Sequence, residues 1–511
     1  RLLAQKYDVV VTNPPYMGGK GQSAKTSEYL KDNFPDTKSD TFSAFIERCG
    51  QMAKPTGYVG MFTPYVWMFI QSYEKLRKNI YDTKNITTLI QFEYSAFEEA
   101  TVPVCSFVYR NKNMGEKGGY FRLVDFRGGM EVQRQKFLEA LENPNCGFFY
   151  TSSTENFKKI PGCPMAYWVK NYAIFDFEKL GTGYQSGGRN KTHNNEKYVR
   201  NWWEICDRIR FAPYANGGDF RKWYGNHLDL VDWSKAARSE YDSHGGLYNE
   251  RFWGKQGICW NLITSATNGF RIKLSEFHFS SASPTIISDN YESDLIRLGF
   301  LNTKLSAYLL NALNPTLNTT VTDVMSLPFY VNGHEEDVIH IVQQNISLSR
   351  IDWDSFETSW DFIAHPLVEL KEGAGYGTDL SKWNYTIESA YKNWEKSCND
   401  RFNQLKANEE ELNQIFIDIY GLQDELTPEV EDKDVTVRRA DLGREIRSLI
   451  SYAVGCMFGR YSLDTEGLAF AGGDWDSEKY KTFVPDKDNI LPICDDEYFD
   501  DDILGRFVDF V

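Results

Sequence analysis

Two consecutive prolines constrain the start of this chain more than any other feature of its 511 residues. They follow four β-branched residues, within the stretch YDVVVTNPPYMGGKG at residues 7–21. A run of β-branched residues predicts a strand, and proline cannot continue one because its nitrogen has no proton to donate. The first proline also restricts the backbone of the residue before it, Asn13. The sequence therefore predicts a strand that ends in a rigid turn bearing an amide and an aromatic ring.

The segments after this turn alternate between strand and helix patterns. Apolar residues recur at helical spacing in SDTFSAFIERCGQMAK and SYEKLRKNIYD, whereas GYVGMFTP, ITTLIQF and VPVCSFVYR have the composition of buried strands. This order predicts an α/β fold with parallel strands. Open α/β sheets bind ligands at the carboxyl ends of their strands, which is where the Asn-Pro-Pro-Tyr turn is expected to lie.

The rest of the chain divides by composition into further regions. We expect the α/β domain to occupy residues 1–149 and an α+β domain, rich in turns, Trp and Tyr, to occupy residues 150–335. Residues 336–463 carry helical patterns, the longest of which runs from Ile387 to a stop at Gly421. Residues 464–511 form an acidic carboxyl-terminal segment.

Charge and composition limit the classes of function. The net charge of −16 argues against a general nucleic-acid binder, but residues 181–273 hold 14 Lys and Arg against 9 Asp and Glu, so one face is predicted to be basic. No apolar run is long enough to span a membrane, and the nine cysteines include no C-x-x-C pair. These features predict a cytoplasmic protein with free thiols, no membrane contact and no metal site.

The Asn-Pro-Pro-Tyr turn suits one kind of chemistry. The exocyclic amine of a nucleobase is a poor nucleophile because its lone pair is delocalised into the ring. Two acceptors on its two N–H groups, the Asn13 side chain and the Pro14 carbonyl, would hold the nitrogen and draw it toward a tetrahedral geometry. Tyr16 would stack on the face of a base held outside its helix. A simple strand-terminating turn is the alternative, since Asn-Pro often breaks strands.

The stretch DVVVTNPPY resembles motif IV of the amino-methyltransferases that modify adenine in DNA. The segments SDTFSAFIERCGQMAKPTGYVGMFTP and YSAFEEATVPVCSFVY resemble motifs V, VI and VIII of the gamma class. GGDFRKWYGNH, LNPTLNTTVTDVMSLP, ELNQIFIDIYGL and LISYAVGCMFGRYSLD resemble segments of large type IIG-like enzymes, most of all the PglX-type methyltransferases of BREX phage-defence systems. The resemblance covers nearly the whole chain. It implies the carboxyl-terminal half of a Rossmann-like methyltransferase sheet, followed by a target-recognition domain and a helical region.

The resemblance also implies roles for single residues. Asn13, Pro14 and Pro15 would form the part of the site that binds the target amine, and Tyr16 and Phe97 would stack on the two sides of a flipped adenine. Two further residues would contact S-adenosylmethionine, Asp40 and Phe45, although a helix cap and a core ring are equally consistent with them. The glycine-rich loop that holds this cofactor precedes motif IV in the gamma class. No such loop precedes Asn13 in this sequence, so we expect most of the cofactor site upstream of this chain.

The middle domain is predicted to read the DNA sequence. Basic residues among aromatic ones suit contacts to phosphates and base edges, and they are Lys191, Lys197, Arg200, Arg221, Lys222 and Arg251. Each by itself is also consistent with a solvated surface charge. His193, His227 and His244 lie in the same loops and are interpreted as loop or surface residues, not as ligands.

Three functions are compatible with the sequence. The first is an adenine methyltransferase that marks host DNA for phage defence, with double-stranded DNA and other BREX proteins as partners. The second is a restriction-modification fusion whose nuclease lies in the upstream part. The third is a non-catalytic DNA-recognition subunit that keeps the base pocket without the cofactor. The upstream sequence distinguishes them, because a glycine-rich turn after a strand supports the first two and a nuclease motif selects the second.

Overall fold

The computed structural model describes residues 5–94, 102–186, 188–205, 209–264, 268–369, 386–496, 498–499 and 501–511. The chain forms two compact units. The first unit comprises Arg1–Thr182, Tyr308–Thr316 and Thr322–Tyr330. The second unit comprises Gly183–Ala307, Leu317–Val321 and Val331–Val511.

The strands, in chain order, are β1 Tyr7–Thr12, β2 Ala53–Pro64, β3 Asn85–Gln91, β4 Val104–Arg110, β5 Gly118–Arg122, β6 Phe149–Ser152, β7 Val199–Asn201, β8 Phe211–Ala215, β9 Asp229–Asp232, β10 Gly257–Trp260, β11 Phe270–Lys273, β12 His278–Phe279 and β13 Thr285–Ile287. The α-helices are α1 Ala24–Asn33, α2 Thr41–Met52, α3 Glu74–Thr83, α4 Gly129–Glu142, α5 Thr154–Phe157, α6 Asn195–Tyr198, α7 Lys235–Ser243, α8 Tyr291–Leu301, α9 Lys304–Leu313, α10 Val321–Met325, α11 Glu335–Asp354, α12 Pro366–Glu369, α13 Ile387–Tyr420, α14 Leu442–Met457 and α15 Ile503–Phe510. Short 3-10 helices cover Tyr65–Met68, Gln71–Tyr73, Tyr172–Asp176, Trp202–Glu204, Glu250–Phe252, Asp432–Asp434 and Ser477–Lys479. No helix in the described ranges is both long and apolar enough to cross a membrane.

The first unit is built on a six-stranded mixed sheet in the order β1-β2-β4-β3-β5-β6. The pairs β1–β2 and β3–β5 are parallel, and β4 runs antiparallel to both β2 and β3. The predicted α/β class is confirmed, with a sheet that is mixed rather than parallel throughout. The sheet continues past residue 149, where we expected the first domain to end, because β6 hydrogen-bonds to β5.

Strand β1 lies at the edge of this sheet rather than in its middle. Its described partner is β2, with Val10 opposite Val59 and Thr12 opposite Met61. Two of its apolar side chains are open to solvent, Val9 at 59% and Val11 at 75% exposure. The prediction of a strand is confirmed, whereas the expectation that its side chains are buried is not met for Val9 and Val11.

The second unit contains two smaller sheets and most of the helices. Their strand orders are β11-β10-β13 and β12-β8-β9-β7. The long helix α13 begins with a capping box at Thr386 and ends at Gly421, whose φ of 63° is the left-handed conformation that favours glycine. Both the helix and its stop follow the sequence prediction. The acidic carboxyl-terminal segment contributes Phe483 and Phe510 to a core shared with α13 and α14, so it is not simply a solvated tail.

Buried ion pairs connect a loop of the second unit to its helices. The guanidinium of Arg221 donates to Asp352 at 2.8 Å, and the ammonium of Lys222 donates to Glu409 at 2.7 Å. The indole nitrogen of Trp223 donates to the other oxygen of the same Glu409 at 2.8 Å. Because Asp352 lies on α11 and Glu409 on α13, the helical region expected at 336–463 packs in one compact unit with this loop.

These contacts correct the role expected for Arg221 and Lys222. Both residues are buried, at 7% and 5% exposure, and their charges are paired with buried carboxylates. Bringing Lys222 to DNA would separate it from the buried carboxylate of Glu409, which is strongly unfavourable. Bringing Arg221 to DNA would leave the buried Asp352 with the more distant Arg438 guanidinium at 3.7 Å. We therefore do not retain these two residues among the proposed DNA contacts.

We expect Lys222→Met to destabilise the second unit without acting on a DNA contact. Removing one partner of a buried ion pair costs about 3–5 kcal/mol of unfolding free energy. Chemical denaturation followed by tryptophan fluorescence measures the loss. Lys191→Met, at an exposed lysine of the same unit, is the matched control and should change the free energy by less than about 0.5 kcal/mol. A Lys222→Met chain as stable as the wild type would contradict the structural role.

Candidate active site

The Asn-Pro-Pro-Tyr turn leaves the carboxyl end of β1 beside β2. The hydroxyl of Tyr16 lies 3.1 Å from the side-chain oxygen of Asn13 and 3.3 Å from the carbonyl oxygen of Phe62, which is part of β2. Its single proton is donated to one of these two acceptors. The turn is thus folded back over the strand ends, with the amide and the phenol next to each other.

The residues of the turn differ in their exposure to solvent. Pro14 is buried, whereas Asn13 and Tyr16 are exposed, the latter at 38%. An amide oxygen has two lone pairs, so Asn13 can accept from a second donor while it accepts from Tyr16. The Pro14 carbonyl accepts no hydrogen bond from the residues that the structure describes. The Asn13 oxygen is therefore an available acceptor at the end of β1.

The residues at the start of α2 hold the turn from the other side. The Asp40 carboxylate accepts from the backbone N–H of Met17 at 2.8 Å and caps α2 by accepting from Phe42 N–H at 3.3 Å. The Thr41 hydroxyl donates to the carbonyl of Pro15 at 2.6 Å, and its backbone N–H donates to the carbonyl of Met17 at 3.3 Å. We call Asp40 and Thr41 the clamp. It restrains both the second proline and the residue after Tyr16.

Two aromatic rings, those of Phe42 and Tyr73, pack behind the turn. Phe42 is buried and meets the edge of Tyr16 with centroids 6.2 Å apart, and it packs on Tyr73 at 5.8 Å. Partial burial, and secondly the nearby thiol of Cys105, raise the pKa of Tyr16, so its phenol stays protonated and able to donate at neutral pH. Burial also raises the pKa of Tyr73 to about 12.

The other residues of the predicted pocket differ in their positions in the structure. Phe97, expected on the second side of the base, lies outside the described residues. Phe45 lies on α2 and its ring is 39% exposed. One oxygen of Asp40 accepts from the backbone N–H groups of Met17 and Phe42, so the observed role of this residue is to cap α2 and restrain the turn. The other Asp40 oxygen faces Gly18.

The remaining basic residues expected to bind DNA lie on the surface of the second unit. Lys191, Lys197 and Arg251 are exposed, and Arg200 is partly buried. Lys197 on α6 and Arg200 on β7 occupy neighbouring elements; the Lys197 ammonium lies 4.7 Å from the centre of the Tyr198 ring. Arg200 donates to the backbone carbonyls of Glu196 and Val199. These residues remain available as positive surface charges.

Sequence reasoning missed Thr41 and Ser43 as residues of the site. Ser43 is fully buried, and its hydroxyl contacts the carbonyls of Thr37 and Asp40, which fixes the backbone that presents the clamp. The sequence predicted that a helix begins near Asp40, and this was the one indication that polar residues lie at this position. Nothing in the local pattern could show that Thr41 reaches Pro15, 26 positions earlier.

No group of His, Cys, Asp and Glu side chains within the described ranges is arranged to hold a metal ion.

Comparison with known proteins gives this geometry a context. Residues 2–97 match the family described as Eco57I restriction-modification methylase. The adenine-specific methyltransferase PglX of Lacticaseibacillus casei (strain Zhang) is 38% identical over 545 aligned residues, which cover 100% of this chain and 44% of that protein. The adenine-specific methyltransferase BrxX of Escherichia coli O9:H4 (strain HS) is 32% identical, with the same coverage of 100% and 44%.

A third relative is matched over a shorter part. The type II restriction enzyme and methyltransferase RM.Eco57I of Escherichia coli is 30% identical over 139 residues, 26% of this chain and 14% of that protein. This chain spans less than half the length of the first two relatives. The resemblance predicted from the Asn-Pro-Pro-Tyr motif and the segments after it is confirmed: along its whole length the chain is similar to adenine-specific methyltransferases of the PglX and BrxX type.

Proposed function

We propose that this chain supplies the target-base pocket and the DNA-reading surface of a site-specific DNA adenine methyltransferase. The reaction would transfer a methyl group from S-adenosylmethionine to the N6 amine of an adenine flipped out of double-stranded DNA. The observation that carries the proposal is the restrained turn at the end of β1. It presents the Asn13 side-chain oxygen beside an exposed phenol ring, and the clamp fixes the backbone after Pro14, whose carbonyl would be the second acceptor.

Each group of the turn has a role that follows from its chemistry. Asn13 and the Pro14 carbonyl would each accept one N–H of the target amine, which localises the nitrogen lone pair and aims it away from the ring plane. The exposed Tyr16 would stack on the extruded base, since every base offers a flat face to an aromatic ring. Prolines at both central positions would let the pocket keep this geometry without reorganisation at the moment of reaction.

S-adenosylmethionine supplies the methyl group in this proposal. The part of its site that this chain would contribute is the Phe45 ring, whose partial exposure fits stacking on a purine. Asp40 would support the cofactor only through its second oxygen, because the first is engaged in the clamp.

The reading of neighbouring bases would fall to the second unit. The turn sees one extruded base and cannot sense the sequence around it. Exposed cations of the 181–273 segment, among them Lys191, Lys197 and Arg251, would contact phosphates and base edges. The acidic net charge of the whole chain makes such a local basic surface necessary for binding DNA.

The biological role that fits best is the marking of host DNA in a BREX phage-defence system, with other proteins of that system as partners. The whole-chain similarity to PglX and BrxX favours it. The shorter similarity to a combined restriction enzyme and methyltransferase favours a second candidate, a type IIG restriction-modification enzyme with an upstream nuclease. Sequencing that reports modified bases, in cells with and without the gene, tests the methylation that both require.

We expect Asn13→Ala in the complete protein to lower the methylation rate by on the order of a hundredfold or more. Loss of one preorganised electrostatic contact to the reacting group has an effect of this size. Folding and DNA affinity should stay close to wild type, because the Asn13 side chain is exposed and its hydrogen bond within the described ranges is to Tyr16. Radiolabelled methyl transfer measures the rate. A variant that keeps more than about a tenth of the wild-type rate would contradict the role.

We expect Thr41→Val to lower kcat for methylation by about tenfold to a hundredfold with little change in DNA affinity. The valine keeps the shape of the side chain but cannot donate to the Pro15 carbonyl, so the backbone that directly follows the second acceptor, the Pro14 carbonyl, loses one restraint. Thr41→Ser should restore most of the rate. Thr87→Val, which removes a comparable hydroxyl-to-carbonyl bond on β3, is the matched control. Equal rates for the Thr41 and Thr87 valine variants would contradict the clamp.

We expect the double variant Lys191→Ala and Lys197→Ala to bind all DNA sequences more weakly. Each lost phosphate contact should reduce the slope of log affinity against log salt by about one. Titrations of the complete protein at several salt concentrations measure it. Lys392→Ala, at an exposed lysine on α13, is the control and should leave the slope unchanged. An unchanged slope in the double variant would move the search to the helical region from Glu336 onward.

A further inference from the structure

The second unit contains a cavity that the proposed methylation does not use. Its volume is about 270 Å³, just below the range in which small-molecule pockets usually begin. Five aromatic side chains line it: Trp202, Phe211, Tyr224, Phe277 and Trp360. We call it the aromatic cavity. Its size suits a small group rather than a nucleotide.

The rings of the aromatic cavity are held in place by the surrounding structure. Trp202 and Trp360 meet at 75° with their centroids 5.5 Å apart, and the indole N–H of Trp202 donates to the carbonyl of Thr358 at 2.9 Å. Tyr224 and Phe277 both pack on His227, at 4.7 and 4.5 Å. Walls fixed in this way lose little freedom when a ligand enters.

The charge of the lining is negative. Three carboxylates contribute to it, those of Asp229, Glu276 and Asp361, and no Lys or Arg is among the lining residues that the structure describes. Burial, followed by the positive field of Arg271, Arg221 and Arg350, lowers the pKa of His227 to about 3, so its imidazole adds no positive charge at neutral pH. A guanidinium nitrogen of Arg350 lies 3.6 Å from a carboxylate oxygen of Asp361.

From this combination we propose that the aromatic cavity binds an organic cation, an alkylammonium or guanidinium group. Aromatic faces attract such cations through their quadrupole, and carboxylates at the wall balance the charge that enters. Phosphates and other anions would meet three carboxylates in the lining, one of which, Asp361, has the Arg350 guanidinium beside it. The proposal does not depend on the methyltransferase function.

The chain's own cations already show the preference of these rings. The Arg210 guanidinium lies 5.3 Å from the centroid of Phe211, and the Arg350 guanidinium lies 5.7 Å from that of Tyr224. Neither arginine lines the cavity. Phe211 and Tyr224 contact these guanidinium groups and also line the aromatic cavity, whose lining includes carboxylates.

Titration of the complete chain with n-butylammonium chloride at constant ionic strength tests the proposal. Tryptophan fluorescence reports binding, since two indoles line the cavity. We expect a saturable change with a dissociation constant on the order of 1 mM, as suits a ligand of so few atoms. The neutral isostere 1-butanol should produce no saturable change. Equal binding of the alcohol, or no saturable signal with the ammonium, would overturn the proposal.

Two variants locate the response. Glu276→Gln, at an exposed carboxylate that lines the cavity, should weaken n-butylammonium binding about tenfold without disturbing the fold. Glu240→Gln, at an exposed carboxylate on α7 that does not line the cavity, is the matched control and should bind as the wild type does. If Glu276→Gln binds the probe as tightly as its control, the cavity is not the cation site.

The same titration distinguishes the two sources of such a group. Nα-acetyl-lysine methylamide and Nα-acetyl-arginine methylamide carry the cation on a protein-like side chain. Binding at least tenfold tighter than that of n-butylammonium would identify a side chain of a protein partner as the occupant. Equal or weaker binding of both would identify a free amine. Either result upholds an organic cation as the ligand.

Discussion

The Asp40 carboxylate supports the candidate active site because it serves two elements at once. One of its oxygens caps α2 and also accepts from Met17 N–H, so the start of the helix and the end of the Asn-Pro-Pro-Tyr turn share a single acceptor. Thr41 adds a bond to Pro15 from the next position. The acceptors of a target amine are useful only if they do not move, and proline rings restrict φ but not the direction in which the turn points. The clamp supplies that direction.

The second unit follows a different physical rule, in which buried charges are paired. Arg221 and Lys222 reach Asp352 and Glu409 on two different helices, and Trp223 shares the second carboxylate. A buried ion pair adds little net stability compared with apolar packing, but it strongly disfavours any arrangement that separates its partners. The loop is thereby held against the helices. The proposed contacts to DNA are therefore assigned to exposed cations of this unit and not to this loop.

The sequence alone predicts several local elements of the structure. The β-branched run before two prolines predicted β1 and its stop, and the spacing of apolar residues predicted α2, α3 and the long α13 with its end at Gly421. Each of these features depends on residues a few positions apart, and propensity, capping and periodicity act over that range. The exposure of Val9 and Val11 was not predicted. A run of β-branched residues has the same sequence pattern in the middle of a sheet and at its edge.

Long-range partners were decided by the tertiary structure. The sequence by itself determined that a rigid turn bearing Asn13 and Tyr16 follows a strand, and that basic residues cluster among aromatic ones in the middle of the chain. It could not show that Lys222 pairs with a carboxylate 187 positions away, or that rings far apart in sequence enclose a negatively charged cavity. A charged side chain has the same local pattern whether it lies in water or beside a buried counter-charge. Which of the two occurs depends on how the elements pack, because packing alone brings distant residues within hydrogen-bond distance.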